Sequence, residues 1–573
     1  MRKVFLTLFF LFALNSFNPK TTDAIVNPLS YPNNRFGIHI VDENDLDDAA
    51  NLVNSQGAEW GYVVLVIQDN QKDLGRWQKI FDKMRRLKLI PLIRLATHLE
   101  NGAWAKPKPE EASLWADFLS SLNWVVKNRY VILFNEPNHA NEWGNEIKPE
   151  EYGTVVEMFS KALKGKSDDF FILPAGLDAA SFNTEKSMEI SKYLLNLINS
   201  NPAFFDYIDG WTSHSYPNPN FSASPYLTGK GSIKSYLWEI SYLAKLGLIK
   251  NLPIFITETG WAHREGKLFN FTYPSSDQVA KYFDVSFSSI WAEKNLVAIA
   301  PFLLNYQDYP FDHFSWKKTD NSTFYPQYNA VREISRVSGR PEQNNKALIT
   351  NVDLPERMIS LSDYEFKVSL FNNGESIWDR DEFSLNLSGN SIFNNIWLDA
   401  IPKTEPYQKA EITVRVKTDE SPKTSRIVLQ MARNDQFFGE TWEKEVVLVP
   451  PPQVAIKSRF WFGKNNKENE VALLIYDHEN LLKKYENITV KNGEGFLPDV
   501  RDIVPNKNYR FVLLSANYLP QQTFSPLWEE KTTLVFKRML PFDLNGDGRF
   551  SLADYLEVFT HPKKTFLLFY PFD

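Results

Sequence analysis

The chain is 573 residues long, with 63 Lys and Arg against 70 Asp and Glu, and its formal charge of −7 excludes the basic footprint of a nucleic-acid binder. With 43% hydrophobic and 14% aromatic residues it can fill large cores, which excludes a mostly disordered chain. It has no cysteine, so disulfides, thiolate zinc sites, a cysteine nucleophile and a Cys-linked lipid are excluded as well.

Residues 1–24 open Met1-Arg-Lys and continue as an apolar run to Leu14, which reads as a secretory signal and implies a secreted or cell-surface protein. No Ala-x-Ala precedes Asp23-Ala24, so an uncleaved anchor is the alternative. From about residue 30 to 340, apolar runs alternate with amphipathic ones. The predicted strands are Phe36–Ile40, Trp60–Ile67, Leu89–Ala96, Tyr130–Phe134, Phe170–Leu177, Ile208–His214, Ile254–Thr257 and Ala298–Leu304. The predicted helices are Leu74–Lys88, Glu110–Asn123, Pro149–Leu163, Glu185–Ile198, Ser232–Leu246, Ser276–Glu293 and Pro326–Val337, with Pro149 suited to a first helical position and Ser275 to a cap. This α/β alternation predicts a (β/α)8 TIM barrel, with an open doubly wound sheet as the alternative. No Gly-x-Gly-x-x-Gly follows the first strand and no Walker loop occurs, which favours the barrel.

Two strands end alike. Tyr130-Val-Ile-Leu-Phe runs into Asn135-Glu136-Pro137, and Pro137 cannot continue a ladder, so Glu136 sits at a sheet mouth. Ile254-Phe-Ile-Thr runs into Glu258, followed by Thr-Gly-Trp261. In a closed barrel the ends of the fourth and seventh strands share the face that carries barrel chemistry. Two carboxylates there are what a glycosidase needs.

On these residues the domain resembles the superfamily of retaining glycoside hydrolases with catalytic glutamates on strands four and seven. The resemblance covers roughly residues 30 to 340. It implies Glu136 as acid/base, Glu258 as nucleophile, carboxyl groups about 5–5.5 Å apart, and hydrolysis of a polysaccharide or oligosaccharide at an O-glycosidic bond, of β configuration by preference, with retention and without a cofactor. It also implies that Asn135 bonds the sugar 2-OH and that a tyrosine on strand six donates to the nucleophile. His214 and Tyr216 lie two apart and share a face; Tyr216 is assigned to the nucleophile and His214 to substrate. Arg94 lies in an apolar run and needs a carboxylate, either Glu258, Glu136 or one elsewhere. Trp261 is a candidate floor for the sugar, Trp104 and Trp143 candidate extensions, and His39 a further substrate contact. The Trp that such enzymes often carry after strand eight is missing from Pro301-Phe-Leu-Leu-Asn-Tyr306, where Asn305 or Tyr306 takes its place. The rival readings are a glycan-binding barrel without turnover, a structural surface protein, and a metal-dependent hydrolase.

After Pro341 the pattern changes to period two. Residues 345–450 predict an Ig-like β-sandwich, and Asn372-Asn-Gly-Glu-Ser-Ile-Trp378 with Phe437-Phe-Gly-Glu440 and Trp442 resembles the four-tryptophan Ig-like domain, with Met431 where another Trp is expected. Pro450-Pro-Pro452 is a stiff linker, and 453–538 predict a second β-sandwich. These domains suit contact with a cell surface or another protein. In the last segment, 541–573, Asp543, Asn545, Asp547, Arg549 through its carbonyl, Ser551 and Asp554 have calcium-loop spacing, with Gly548 at the turn. The terminal Asp resembles dockerin-type loops, but there is one repeat rather than two, which implies a structural Ca2+ ahead of cohesin binding.

Overall fold

The computed structural model describes residues 25–320, 323–461 and 466–561; the expected leader at 1–24 and the tail from 562 lie outside these residues. The chain divides into two compact units, Met1–Asn344 and Asn345–Asp573.

The first unit is mixed α/β. Its strands are β1 (Gly37–His39), β2 (Gly61–Gln68), β3 (Leu89–Ala96), β4 (Arg129–Leu133), β5 (Phe170–Pro174), β6 (Trp211–His214), β7 (Ile254–Glu258) and β8 (Leu296–Ile299). β1 to β5 form a five-stranded parallel sheet in chain order, and β6 to β8 a three-stranded parallel sheet. Isolated parallel bridges join the edges of the two sheets at both sides, Phe36 to Ile299 and Asp178 to His214. A helix follows each strand, because parallel neighbours need a crossover. These are α1 (Leu46–Val53), α2 (Leu74–Arg86), α3 (Ala112–Ser120), α4 (Pro149–Lys166), α5 (Ile190–Ser200), α6 (Ser235–Lys245), α7 (Ser276–Val285) and α8 (Pro326–Arg332).

Local chemistry accounts for these elements. In α2 the Asp73 side chain caps the Arg76 N–H, Trp77, Ile80, Phe81 and Met84 fall on one buried face, and Lys83, Arg85 and Arg86 sit in the last turn, where the helix dipole favours cations. Pro149 opens α4, and the Ser275 side chain accepts from the Gln278 N–H at the start of α7. The strands are buried on both faces, so they read as apolar runs rather than alternations. Rings from four strands meet in one interior: Tyr62 lies 6.3 Å from Tyr130 and 6.5 Å from Phe255, and Phe171 lies 5.0 Å from Tyr130 and 5.9 Å from Phe255.

The second unit is sheet-rich. Its first part packs two four-stranded sheets around Val368, Leu370, Trp378, Ile412, Leu429 and Met431. Met431 is fully buried where a tryptophan was expected, so a thioether fills that part of the core. The part from Gln453 to Val535 corrects the expectation of a second sandwich. It is one seven-stranded sheet whose inward residues, among them Val454, Leu473, Ile475, Phe511, Leu513 and Leu534, converge on a single cluster. Register shifts at Val471/Leu473 and Leu513/Ser515 are the bulges that let one sheet curl over its own core. A final helix, α9 (Leu552–Thr560), begins with a capping box between Ser551 and Asp554. Among the described residues no helix is long and apolar enough to cross a membrane.

Candidate active site

The end of β4 is conformationally costly. Phe134 and Glu136 both take left-handed backbone, with φ of 72° and 27°, where non-glycine residues are rare. The surroundings hold this turn: the Glu136 N–H donates to the Gly176 carbonyl at 3.2 Å, and the Glu136 carbonyl accepts the His139 N–H at 2.9 Å. Strain of this kind gathers at functional sites, where the fold over-determines it. β7 ends on Glu258 itself. Its register against β6 shifts between Ser213 and His214, which brings His214 level with Glu258.

The two glutamates are neighbours. One carboxylate oxygen of each and a ring nitrogen of His214 all lie within 4.8 Å of one another. His214 Nδ1 is 2.7 Å from Glu136 Oε1 and 3.7 Å from Glu258 Oε2. Both oxygens of Glu258 are held. Tyr216 Oη donates to Oε2 at 3.0 Å, and the Arg94 guanidinium donates to Oε1. Burial alone would push Glu258 up, but His214 and Arg94 outweigh it and hold the carboxyl far below its ordinary value. Burial would likewise push His214 down, and the Glu258 and Glu136 carboxylates hold it above its ordinary value instead. His39 Nε2 stands 3.9 Å from Glu258 Oε1, and burial, then Arg94, push it down to about 3. The pair is therefore asymmetric. Glu258 is buried, ionised and clamped, while the Glu136 side chain is 21% exposed and reaches the opening.

Arg94 resolves its alternatives in favour of Glu258 and also donates to Asn135 Oδ1 at 2.8 Å. Other assignments need correction. Trp261 is buried, donates to the Ala223 carbonyl at 2.8 Å and packs on Phe283, so it presents no ring to a cleft. Trp143 is fully buried between Phe134 and Tyr152. In both cases an aromatic next to a functional loop fills the core beneath it. His214 and His39 are 2% and 1% exposed, so they face the carboxylates and leave a ligand little surface. Trp104 does line a small pocket with Arg94, Asn135 and Glu142. Asn305 spends its amide on Asp45 at 3.1 Å, and Tyr306 packs on Phe311. The ring beside the site on this flank is Phe302, edge-on to His39 at 5.2 Å.

Two groups escape a strand-end reading because they sit in loops. Glu142 Oε2 accepts from Asn135 Nδ2 at 3.2 Å. His139 Nε2 pairs with Asp178 Oδ2 at 2.9 Å, which holds the imidazole above its ordinary value. The legible signal was three titratable residues, Glu136, His139 and Glu142, within one turn-rich segment.

Among the described residues, Glu136, His214 and Glu258 form the one cluster of three metal-type ligands. The set does not suit a cation, because the Arg94 charge is already bonded to Glu258. The loop at 543–554 is different. Asp543 is 7% exposed and its Oδ1 is buried without a partner, an oxygen left for a hard cation. Around it Asn545 Oδ1 accepts from the Asp547 N–H at 2.9 Å, Asp547 Oδ1 from the Arg549 N–H at 2.8 Å, and Asp554 Oδ2 from the Ser551 N–H at 2.7 Å. The all-oxygen donor set fits calcium.

No known family model matches the chain, and no curated protein matches its sequence. Solved structures give partial likenesses. A β-glucosidase from Listeria innocua in complex with glucose is 11% identical over 56% of this chain and 46% of its own, at a TM-score of 0.13. The TIE protein of Bacillus anthracis is 11% identical over 47% of this chain and 51% of its own, at 0.14. A part of native alpha-2-macroglobulin from Escherichia coli is 12% identical over 23% of each chain, at 0.15. The chain thus spans about half or less of the length of each. Likenesses this slight assign neither fold nor activity; what bears on function is the geometry of the carboxylate pair.

Proposed function

We propose that the N-terminal unit is a retaining glycoside hydrolase whose two parallel sheets, bridged at both edges, make a closed (β/α)8 barrel. The observation that carries this reading is the approach of the Glu136 and Glu258 carboxylates to within 4.8 Å, a retaining rather than an inverting separation. Glu258 attacks the anomeric carbon while Glu136 protonates the departing glycosidic oxygen, and the C–O bond to the leaving group breaks. Water then attacks the glycosyl-enzyme, Glu136 takes its proton, and the bond to Glu258 breaks. The clamp on Glu258 keeps the nucleophile ionised and aimed, and Glu136, the more exposed of the two, serves as the acid/base. The substrate is an O-linked oligosaccharide or polysaccharide, met outside the cytoplasm by an exported protein, with the C-terminal unit as an accessory contact module. Asp543, Asn545, Asp547, the Arg549 carbonyl, Ser551 and Asp554 hold a structural Ca2+ that takes no part in the chemistry.

The test is hydrolysis of aryl β-glycosides and β-linked polysaccharides, with the first-formed anomer read by NMR. Wild type is expected to turn over with retention, and Glu258→Gln to lose on the order of 10³-fold or more in kcat. Glycan binding without turnover in either protein would replace this reading with that of a non-catalytic binder.

A further inference from the structure

We propose that Glu142 is a positioning residue of this site, whose carboxylate fixes the side-chain amide of Asn135 in the one orientation that presents it to substrate. The inference rests on the glycosidase reading. Glu142 enters on a short turn, Ala140–Glu142, directly after the acid/base loop. Its Oε2 accepts from Asn135 Nδ2 at 3.2 Å, while Asn135 Oδ1 accepts from Arg94 at 2.8 Å. Arg94 in turn holds Glu258. The amide is therefore the middle link of a chain running from Glu142 through Asn135 and Arg94 to the nucleophile.

An amide has two ends of nearly equal shape and opposite polarity. An acceptor at its nitrogen and a cation at its oxygen leave one orientation, with one amide N–H not used by Glu142. Truncating Glu142 removes half of that specification without touching either catalytic carboxylate. The chosen anchor is a costly one. Glu136 and Glu258 face Glu142 as like charges, Arg94 and His139 as opposite ones, and burial, then Glu136, raise its carboxyl to about 7. A half-buried carboxylate kept beside two others is poor for stability, and such groups cluster where function retains them. It also lines the pocket shared with Trp104 and Arg94, so its ionisation is within reach of a bound sugar.

The experiment measures kcat, KM and the pH profile of kcat/KM on the best aryl glycoside. The variants are Glu142→Gln, Glu142→Leu, Asn135→Ala and the Asn135→Ala/Glu142→Leu double, each checked by thermal melt. Glu142→Leu is expected to lose about 10- to 100-fold, mainly in kcat, as a misplaced contact does. The double variant is expected to be no slower than Asn135→Ala, because residues acting as one unit are not additive. Glu142→Gln still offers an acceptor, as the protonated carboxyl does, so it is expected to keep most activity and a pH profile close to that of wild type. Additive losses in the double variant, or Glu142→Leu as fast as wild type, would overturn the inference while wild-type turnover upholds the glycosidase reading. Should Glu142→Leu melt early, a Glu142→Gln variant that melts as wild type does yet is as slow as Glu142→Leu overturns it alone. No wild-type turnover on any glycoside removes both readings.

Discussion

Glu239 shows how one residue can tie the site to the pH response of the fold. It is 1% exposed on α6, beneath β6, and accepts from Trp211 Nε1 and Ser213 Oγ, each at 2.7 Å. Burial raises its carboxyl from 4.5 to about 7, against the two hydrogen bonds that lower it. Folding therefore takes up a proton between those values. The group costs nothing below the unfolded value, and its cost grows as pH rises through the window, reaching ~3 kcal/mol above it. Glu239→Gln keeps an acceptor for Trp211 and carries no charge. The melting temperature of wild type should fall between pH 5 and about 7.5, and that of Glu239→Gln should fall less; parallel slopes in the two proteins would mean that Glu239 is ionised throughout. Nothing in the sequence distinguishes this glutamate from a solvated one on a helix face. Glu136, Glu258 and Arg94 were legible because each stands at or in an apolar run, where a polar residue must be explained, and Tyr216 was legible only through the resemblance. Glu142 and Glu239 sit in a loop and on a helix, where polar residues are ordinary, and only packing makes them matter.

At the scale of elements, the site depends on how closely β5 lets β6 approach. Gly176 follows β5, and a Cβ there would overlap the His214 ring, standing 2.5 Å from Nε2. That ring cannot give way, because it is buried and bonded to Glu136. Gly176→Ala should therefore push His214 off both glutamates and lower kcat by about 100-fold, with a smaller loss of melting temperature. Wild-type kcat in this variant would show that the ring is not needed where it stands. The same closeness explains which boundaries the sequence could deliver. The predicted runs overlap all eight parallel strands, but of the run predicted as Ala298–Leu304 only Ala298 and Ile299 lie in β8, which starts two residues earlier, and the rest continues as buried loop. There the Phe302 N–H turns to the Thr259 carbonyl and the Leu304 N–H to the His39 carbonyl. Apolarity reports burial, and strand and buried loop look alike by that measure. The helix predicted from Glu185 begins at Ile190, because the Glu189 side chain caps the Lys192 N–H and sets the start.

Over the whole molecule, the two units obey different rules. In the first, both faces of every sheet are covered, so composition carries the signal and the polar residues at the strand ends stand out against it. In the second, alternation such as that of Asp363–Asn372 marks strands well but leaves their grouping open, since one curled sheet and two facing sheets bury the same alternate residues. The segment 543–554 belongs to that unit, with Leu544 packed in the core of the seven-stranded sheet. A cation at Asp543 would neutralise a carboxylate that is 7% exposed and carries one unpartnered buried oxygen. Binding to the folded state alone stabilises it by RT ln(1 + [L]/Kd), about 2.7 kcal/mol at a hundredfold excess over Kd. Calcium at about 1 mM should then raise the unfolding temperature of the C-terminal unit, and chelation should reverse the rise. Asp543→Ala should abolish the response. Glycoside hydrolysis should not change on chelation, because the carboxylate pair is built without a cation site. An unfolding temperature indifferent to calcium would leave residues 543–554 as a turn held by its own backbone bonds, and a loss of hydrolysis on chelation would instead move the metal to Glu136, His214 and Glu258.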